Sequence, residues 1–191
     1  QGMNVARISA LLAGFPNNVP GVTVNRFCAS GLQTIAMAAE RITTGAAEVL
    51  IAGGTESMSM IPMGGYNFSA NPAIFNNEHI GIAFGMGLTA EKVAEQWQVS
   101  RQAQDEFALE SHRRALAAIA AGEFKEEILP YTITEGKPDL SSGKIQQESK
   151  TIQQDEGPRA GSSLELLANL PTVFAAGGSV TAANSSQMSD G

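Results

Sequence analysis

The sequence predicts an α/β fold in which a partial core of strand, helix and strand is interrupted by a mainly helical insertion. Three observations carry this. Residues 22–24 alternate Val, Thr, Val as a short strand does, and the apolar positions then switch to helical spacing, with Leu32, Ile35, Ala36, Ala39 and Ile42 on one face. Residues 48–53 (EVLIAG) are an apolar run of the kind buried on both faces of a sheet. Strand, helix and strand at this spacing make a βαβ-type unit. From residue 57 the text becomes rich in Met, Gly, Asn and Phe without a period, and it then turns to two long helical patterns.

Taken in order, residues 4–13 carry Val5, Ile8, Leu11 and Leu12 on one side and stop at Gly14, which predicts a helix. Residues 16–21 are turn-rich. The strand over 22–24 leads through Cys28 into a helix that closes at Gly45. Beyond the loops of 57–87, helices are expected over 89–98 and 100–121. The second presents Ala103, Phe107, Ala108, Ser111, Ala115, Ala118 and Ile119 on one face and has Gly122 as its stop. Residues 134–157 are polar and read as a surface excursion. A short helix over 163–170 and a returning strand over 179–183 follow. The division expected is residues 1–56 as core, 57–178 as a loop domain and 179–191 as the return to the core.

With 191 residues, 43% hydrophobic and 16% charged, the chain has the composition of a globular protein with one core, or a core and a smaller lobe. A net charge of −7 argues against a nucleic-acid surface. No stretch reaches the roughly 18 apolar residues of a membrane span. One cysteine cannot form an internal disulfide, which fits a reducing compartment, and a cytoplasmic location is expected. The opening Gln1-Gly2-Met3-Asn4 reads as mid-helix text rather than a signal peptide. With the stop at Ser189-Asp190-Gly191, both ends read as cut from a longer chain.

A lone cysteine is by default a small buried hydrophobe. Cys28 has more to offer. It falls where strand gives way to helix, beside unpaired N–H groups and the positive end of the helix dipole, and both favour the nucleophilic thiolate. Ala29, Ser30 and Gly31 are small enough to let a ligand or another chain approach the sulfur. His79 and His112 are the only histidines, and neither fits as its base. His112 is expected to be a solvated helix residue, and His79 lies in a polar loop. One cysteine and two separated histidines give no metal-ligand spacing, and the glycine pairs match no nucleotide fingerprint.

The run Val24-Asn25-Arg26-Phe27-Cys28-Ala29-Ser30-Gly31-Leu32-Gln33 resembles the active-site signature of the thiolases, the acyltransferases that cleave or form 3-oxoacyl-CoA. Five more stretches are similar to that family, in its order. They are Gly53-Gly54-Thr55-Glu56-Ser57-Met58-Ser59, then Met86-Gly87-Leu88-Thr89-Ala90-Glu91 with Ser100-Arg101-Gln102-Ala103-Gln104-Asp105, then Asp155-Glu156-Gly157-Pro158-Arg159, and finally Gly178-Ser179-Val180-Thr181-Ala182-Ala183-Asn184-Ser185-Ser186. The resemblance implies a thiolase-like fold with Cys28 as nucleophile. It implies coenzyme A contacts as well. Arg159 would pack on the adenine, Ala182 and Ser186 would line the pantetheine arm, and Met86 would flank the acyl end. A guanidinium suits the first task because it stacks while staying charged.

Many acetoacetyl-type members carry a histidine where this chain has Gly85, which leans towards a degradative 3-oxoacyl-CoA thiolase of fatty acid β-oxidation. No cofactor is implied, because coenzyme A is a substrate, and no metal. The partners implied are acyl-CoA and coenzyme A, with a homodimeric or tetrameric parent. The family's catalytic histidine and second catalytic cysteine come from C-terminal motifs that this sequence does not contain, so the piece alone is expected to be inactive. The condensing 3-oxoacyl synthases share the fold, but Asn25-Arg26-Phe27-Cys28 and the long insertion favour thiolase. The alternatives are an acetoacetyl-CoA-forming biosynthetic thiolase and a non-catalytic acyl-CoA-binding module.

Overall fold

A computed structural model describes residues 2–76 and 85–191. It divides into two compact units. The first holds Gln1–Ala70 with Met188–Gly191, and the second holds Asn71–Gln187.

In the first unit, α1 (Val5–Leu12) begins where expected, because Asn4 caps it. The Asn4 Oδ1 accepts from the Arg7 N–H at 3.2 Å, satisfying one of the four N–H groups a helix start leaves open. Its amide nitrogen donates to the Gly21 carbonyl at 2.8 Å, and Thr23 donates to its Oδ1 at 2.9 Å. The Arg7 guanidinium reaches the carbonyls of Val19 and Asn17. Residues 17–23 are thereby folded back on α1 by polar side chains. Gly21 is required there, since a Cβ would stand 2.7 Å from the Arg7 nitrogen. The second helix, α2 (Ser30–Thr43), ends ahead of Gly45 at φ +71°.

The strands expected over 22–24 and 48–53 are not hydrogen-bonded into a sheet. A parallel pair needs cover on both faces, and here Val22, Val49 and Ile51 are all exposed, Val49 to 83%. Neither α1 nor α2 buries a residue. Close to the chain's end, Glu56 and Gly191 exchange backbone hydrogen bonds, and the Asp190 carboxylate accepts from the Ser59 N–H at 2.8 Å and from its hydroxyl.

The second unit contains a 3₁₀ turn (Pro72–Ile74), α3 (Met86–Trp97), α4 (Arg101–Ala121), a hairpin of β1 (Tyr131–Asp139) and β2 (Lys144–Ile152), and α5 (Leu164–Ala168). The bounds of α4 follow its caps. Ser100 accepts from the Ala103 N–H at 3.1 Å, and Gly122 turns left-handed at φ +74°. Its inward face differs in part from expectation. Ala108, Ala115, Ala118 and Ile119 are half-buried, in line with the expected face, but Ala103, Phe107 and Ser111 are exposed, Phe107 to 79%, and Asp105 is buried. The helix is turned so that the Asp105 carboxylate meets donors, because a buried charge is tolerated only when paired. Arg101 Nε lies 2.7 Å from it and Asn184 Nδ2 lies 3.0 Å from it. Arg101 also donates to the carbonyls of Leu167 and Leu170, which docks α5 on α4. Buried Leu167, Val180 and Thr181 complete this small core.

The excursion expected over 134–157 is instead an antiparallel hairpin in which Tyr131 faces Ile152 and Asp139 faces Lys144. Thr132–Thr151 and Thr134–Ser149 bond across it at 2.9 Å each. At its turn, the Asp139 carboxylate accepts from the Ser141 N–H and hydroxyl and from the Ser142 hydroxyl, which hold its pKa well below the usual carboxylate range. The return strand over 179–183 reduces to one bridge, Thr172 to Thr181. Local side chains take the backbone groups that a ladder would need. Thr181 N–H donates to Asn184 Oδ1 at 2.7 Å, and the Ser185 hydroxyl donates to the Thr181 carbonyl at 2.5 Å.

Candidate active site

Cys28 stands exposed on a tight turn two residues ahead of the first residue of α2. The sequence builds that turn locally. Asn25 Oδ1 accepts from the Phe27 N–H at 3.0 Å, and Phe27 is left-handed at φ +49°, a conformation costing a bulky residue on the order of 1 kcal/mol. The Ser30 hydroxyl then locks it, accepting from the Arg26 N–H at 2.8 Å and donating to the Phe27 carbonyl at 2.6 Å. Arg26 is tied to Gln33 at 2.6 Å. Ala29 occupies the N-cap and offers no side-chain oxygen to the first-turn N–H groups. Open space surrounds Gly31 where a Cβ would stand. The result is an accessible thiol beside an uncapped helix start.

The other four candidates lie in the second unit. Met86 is the first residue of α3 and is 70% exposed. Arg159 is exposed, and its guanidinium has no partner among the described residues. Its backbone N–H donates to His112 Nδ1 at 3.3 Å, so His112 is a half-buried anchor for this loop rather than the solvated residue expected. Ala182 and Ser186 are exposed on the segment that follows Gly177 and Gly178. His79 lies outside the described residues.

Glu91, Asp105 and Asn184 lie within the family-like motifs, and nothing in the sequence gives them a role. In the structure they tie three motifs together. Both Glu91 oxygens accept from the Ser179 N–H, at 2.9 and 3.0 Å, and Oε1 also accepts from the Val180 N–H at 2.8 Å. Desolvation works to raise the Glu91 pKa, but the bonds from Val180 and Ser179 outweigh it and hold it below the ordinary glutamate value. Gln104 donates to the Ser179 hydroxyl at 2.9 Å, and Asn184 links Asp105 to the Ser179 carbonyl. The signal available was Gly178, where a Cβ would collide with the Glu91 carboxylate. No group of three or more His, Cys, Asp or Glu side chains among the described residues is placed to hold a metal.

The profile of the thiolase N-terminal domain matches residues 1–191. The chain belongs to the thiolase family. It is 47% identical to the 3-ketoacyl-CoA thiolase of Bacillus subtilis (strain 168), aligning over all of this chain and 48% of that protein. It is 41% identical to the peroxisomal 3-ketoacyl-CoA thiolase B of Mus musculus, over all of this chain and 44% of that one. The crystal structure of the Bacillus anthracis acetyl-CoA acetyltransferase superposes with a TM-score of 0.79 at 38% identity, covering 98% of this chain and 48% of that one. The dimeric peroxisomal thiolase of Saccharomyces cerevisiae gives 0.78 at 34% identity, covering 96% and 44%. The fold of this thiolase domain is therefore thiolase-like, as expected, and the chain spans about half the length of the relatives it matches. None of its described helices is long and apolar enough to cross a membrane.

Proposed function

We propose that this domain supplies the nucleophile and the coenzyme A contacts of an acyl-CoA acyltransferase, which cleaves 3-oxoacyl-CoA with coenzyme A to acetyl-CoA and a shortened acyl-CoA. The observation that carries this is the exposed Cys28 on its locked turn at the start of α2. The Cys28 thiolate attacks the 3-oxo carbonyl carbon, forming a carbon–sulfur bond. The bond between C2 and C3 then breaks, its electron pair is protonated at C2, and acetyl-CoA leaves. A second coenzyme A thiolate attacks the acyl-cysteine, and Cys28 departs as thiolate. The N–H groups of Gly31 and Leu32 in the α2 first turn, which Ala29 leaves uncapped, are candidate donors to the oxyanion, whereas the Ser30 N–H is taken by the Phe27 carbonyl. The proton carriers would belong to the family's C-terminal motifs.

In the same reading, Arg159 stacks on adenine, Ala182 and Ser186 line the pantetheine arm, and Met86 flanks the acyl group. Gly85, together with relatives named 3-ketoacyl-CoA thiolase, supports the degradative direction and a place in fatty acid β-oxidation. The similar Bacillus anthracis structure, named acetyl-CoA acetyltransferase, supports the biosynthetic alternative. A homo-oligomeric protein is part of the proposal, supported by the dimeric yeast relative. So is a cytoplasmic location, supported by the bacterial relative.

The test is Cys28→Ser in the full-length protein that contains this chain. A serine hydroxyl is almost wholly un-ionised at neutral pH, so thiolysis of 3-oxoacyl-CoA should fall by about three orders of magnitude or more while coenzyme A still binds. Wild-type turnover by the serine variant overturns the assignment.

A further inference from the structure

We propose that Glu91 and Asp105 are positioning residues for coenzyme A, holding residues 179–186 in the shape that presents Ala182 and Ser186 to the ligand. This rests on the coenzyme A reading of those two positions.

The segment has no helix or strand of its own beyond the Thr181 bridge. An unsupported loop of this length would have to be ordered at the moment of binding, which weakens affinity. Here two carboxylates from two different helices fix it in advance. Glu91 of α3 holds the start through the N–H groups of Ser179 and Val180 and the Ser179 hydroxyl. Asp105 of α4 holds the far side through Asn184, whose side chain also accepts from Thr181 N–H and donates to the Ser179 carbonyl. Gly178 is what allows α3 to come this close, because a side chain there would displace the Glu91 carboxylate. Between and just past the anchors, Ala182 and Ser186 remain exposed, and the Ser186 hydroxyl has no partner among the described residues. Asp105 is buried and Glu91 half-buried, and both carboxylates are occupied by protein donors. They act through the segment and do not touch the ligand.

The donor and acceptor pattern makes this testable in the full-length protein with coenzyme A as the probe. Glu91→Gln replaces one of the two acceptor oxygens with a donor that faces backbone N–H groups. Asp105→Asn leaves one amide oxygen to serve both Arg101 and Asn184. Asn184→Asp sets a second carboxylate against the first. Each single change should raise the KM for coenzyme A about tenfold with kcat within about threefold, the signature of lost ground-state positioning. The exchanged pair, Asp105→Asn with Asn184→Asp, restores a donor facing an acceptor between the two positions but sets a carboxylate oxygen at 184 against the Ser179 carbonyl, so its KM should fall about threefold below that of Asn184→Asp alone without reaching the wild-type value. Three results overturn the proposal: a lowered melting temperature with unchanged coenzyme A KM, an exchanged pair no better than Asn184→Asp alone, or a fall in kcat at constant KM. A wild-type protein that neither binds coenzyme A nor turns over would sink the proposed function, and this inference with it. A wild-type protein that does both, with variants of normal KM, sinks this inference alone.

Discussion

The two units solve the problem of a buried backbone in opposite ways. In the second, side chains from distant positions converge on a few atoms. Asp105, Leu167, Val180 and Thr181 are buried, and Glu91, Arg101, Gln104 and Asn184 supply the bonds around them. In the first unit, the apolar faces of α2 and of residues 48–53 have the right pattern, yet no residue of either helix is buried. Its order comes from near-neighbour devices: the Asn4 cap, the Thr23 link and the Asn25–Ser30 turn. Apolar patterning is only a capacity to be buried. Without a matching face it stabilises little, whereas a polar clamp closes on its own partners.

Amide exchange on the 191-residue chain breaks or sharpens that contrast most directly. The interior turns of α4 should exchange about a hundredfold or more slowly than those of α1 and α2, since protection follows local burial. Equal protection would mean that the exposed faces of the first unit are covered, by self-association or otherwise, and light scattering on the same sample would reveal it. A smaller effect is expected from Asp105→Ala, which leaves the Arg101 guanidinium and the Asn184 amide facing an empty site. Urea unfolding of the second unit should show a loss of about 2–4 kcal/mol. This lies at or below the usual range for breaking a buried pair because Arg101 stays a quarter exposed. A loss under about 1 kcal/mol would mean that the clamp is ornamental to stability.

The smallest effect is on acidification. Glu91 has a folded pKa below its unfolded value, so its stabilisation is present above the unfolded pKa and is lost as pH falls through the folded one. The urea midpoint of the second unit should therefore drop below about pH 4.5. The drop should be shallower in Glu91→Gln. The remainder belongs to carboxylates such as Glu110, which hydrogen bonds from Arg113 and Arg114 lower to about 2. Identical pH profiles for the two proteins would remove Glu91 from the account.

Most helix ends were readable, although α3 starts at Met86, three residues ahead of the expected start at 89. Asn4, Ser100, Gly45 and Gly122 act through atoms within a few residues of themselves, so their effect is written locally. The exposed turn at Cys28 was legible for the same reason. The phase of α4 was only partly so. Counting apolar positions selects Phe107 and Ala103, but the helix turns to bury Asp105, whose partner Asn184 is 79 residues away. No window on the helix contains that information. The hairpin was missed because it buries almost nothing. Its signal lay in the short Tyr131-Thr132-Ile133-Thr134 alternation ahead of the turn Asp139-Leu140-Ser141-Ser142-Gly143, where a glycine at φ +65° closes the loop. The strands over 22–24 and 48–53 were over-read, since periodicity reports a face and not a neighbour. Glu91 was quoted as part of a motif without a role, because its partners are backbone N–H groups that every residue type provides.

That hairpin offers a place to attach something. Its two strands are bonded chiefly to each other, and its turn is closed by its own Asp139 and serines, with Leu140 96% exposed. A peptide tag or a fluorophore-bearing insertion between Ser142 and Gly143 would lengthen a loop whose closure costs only slowly more as it grows. A reporter placed there leaves Glu91, Asp105 and Cys28 untouched, and it gives a spectroscopic view of the second unit without adding a second thiol to these 191 residues, which hold one.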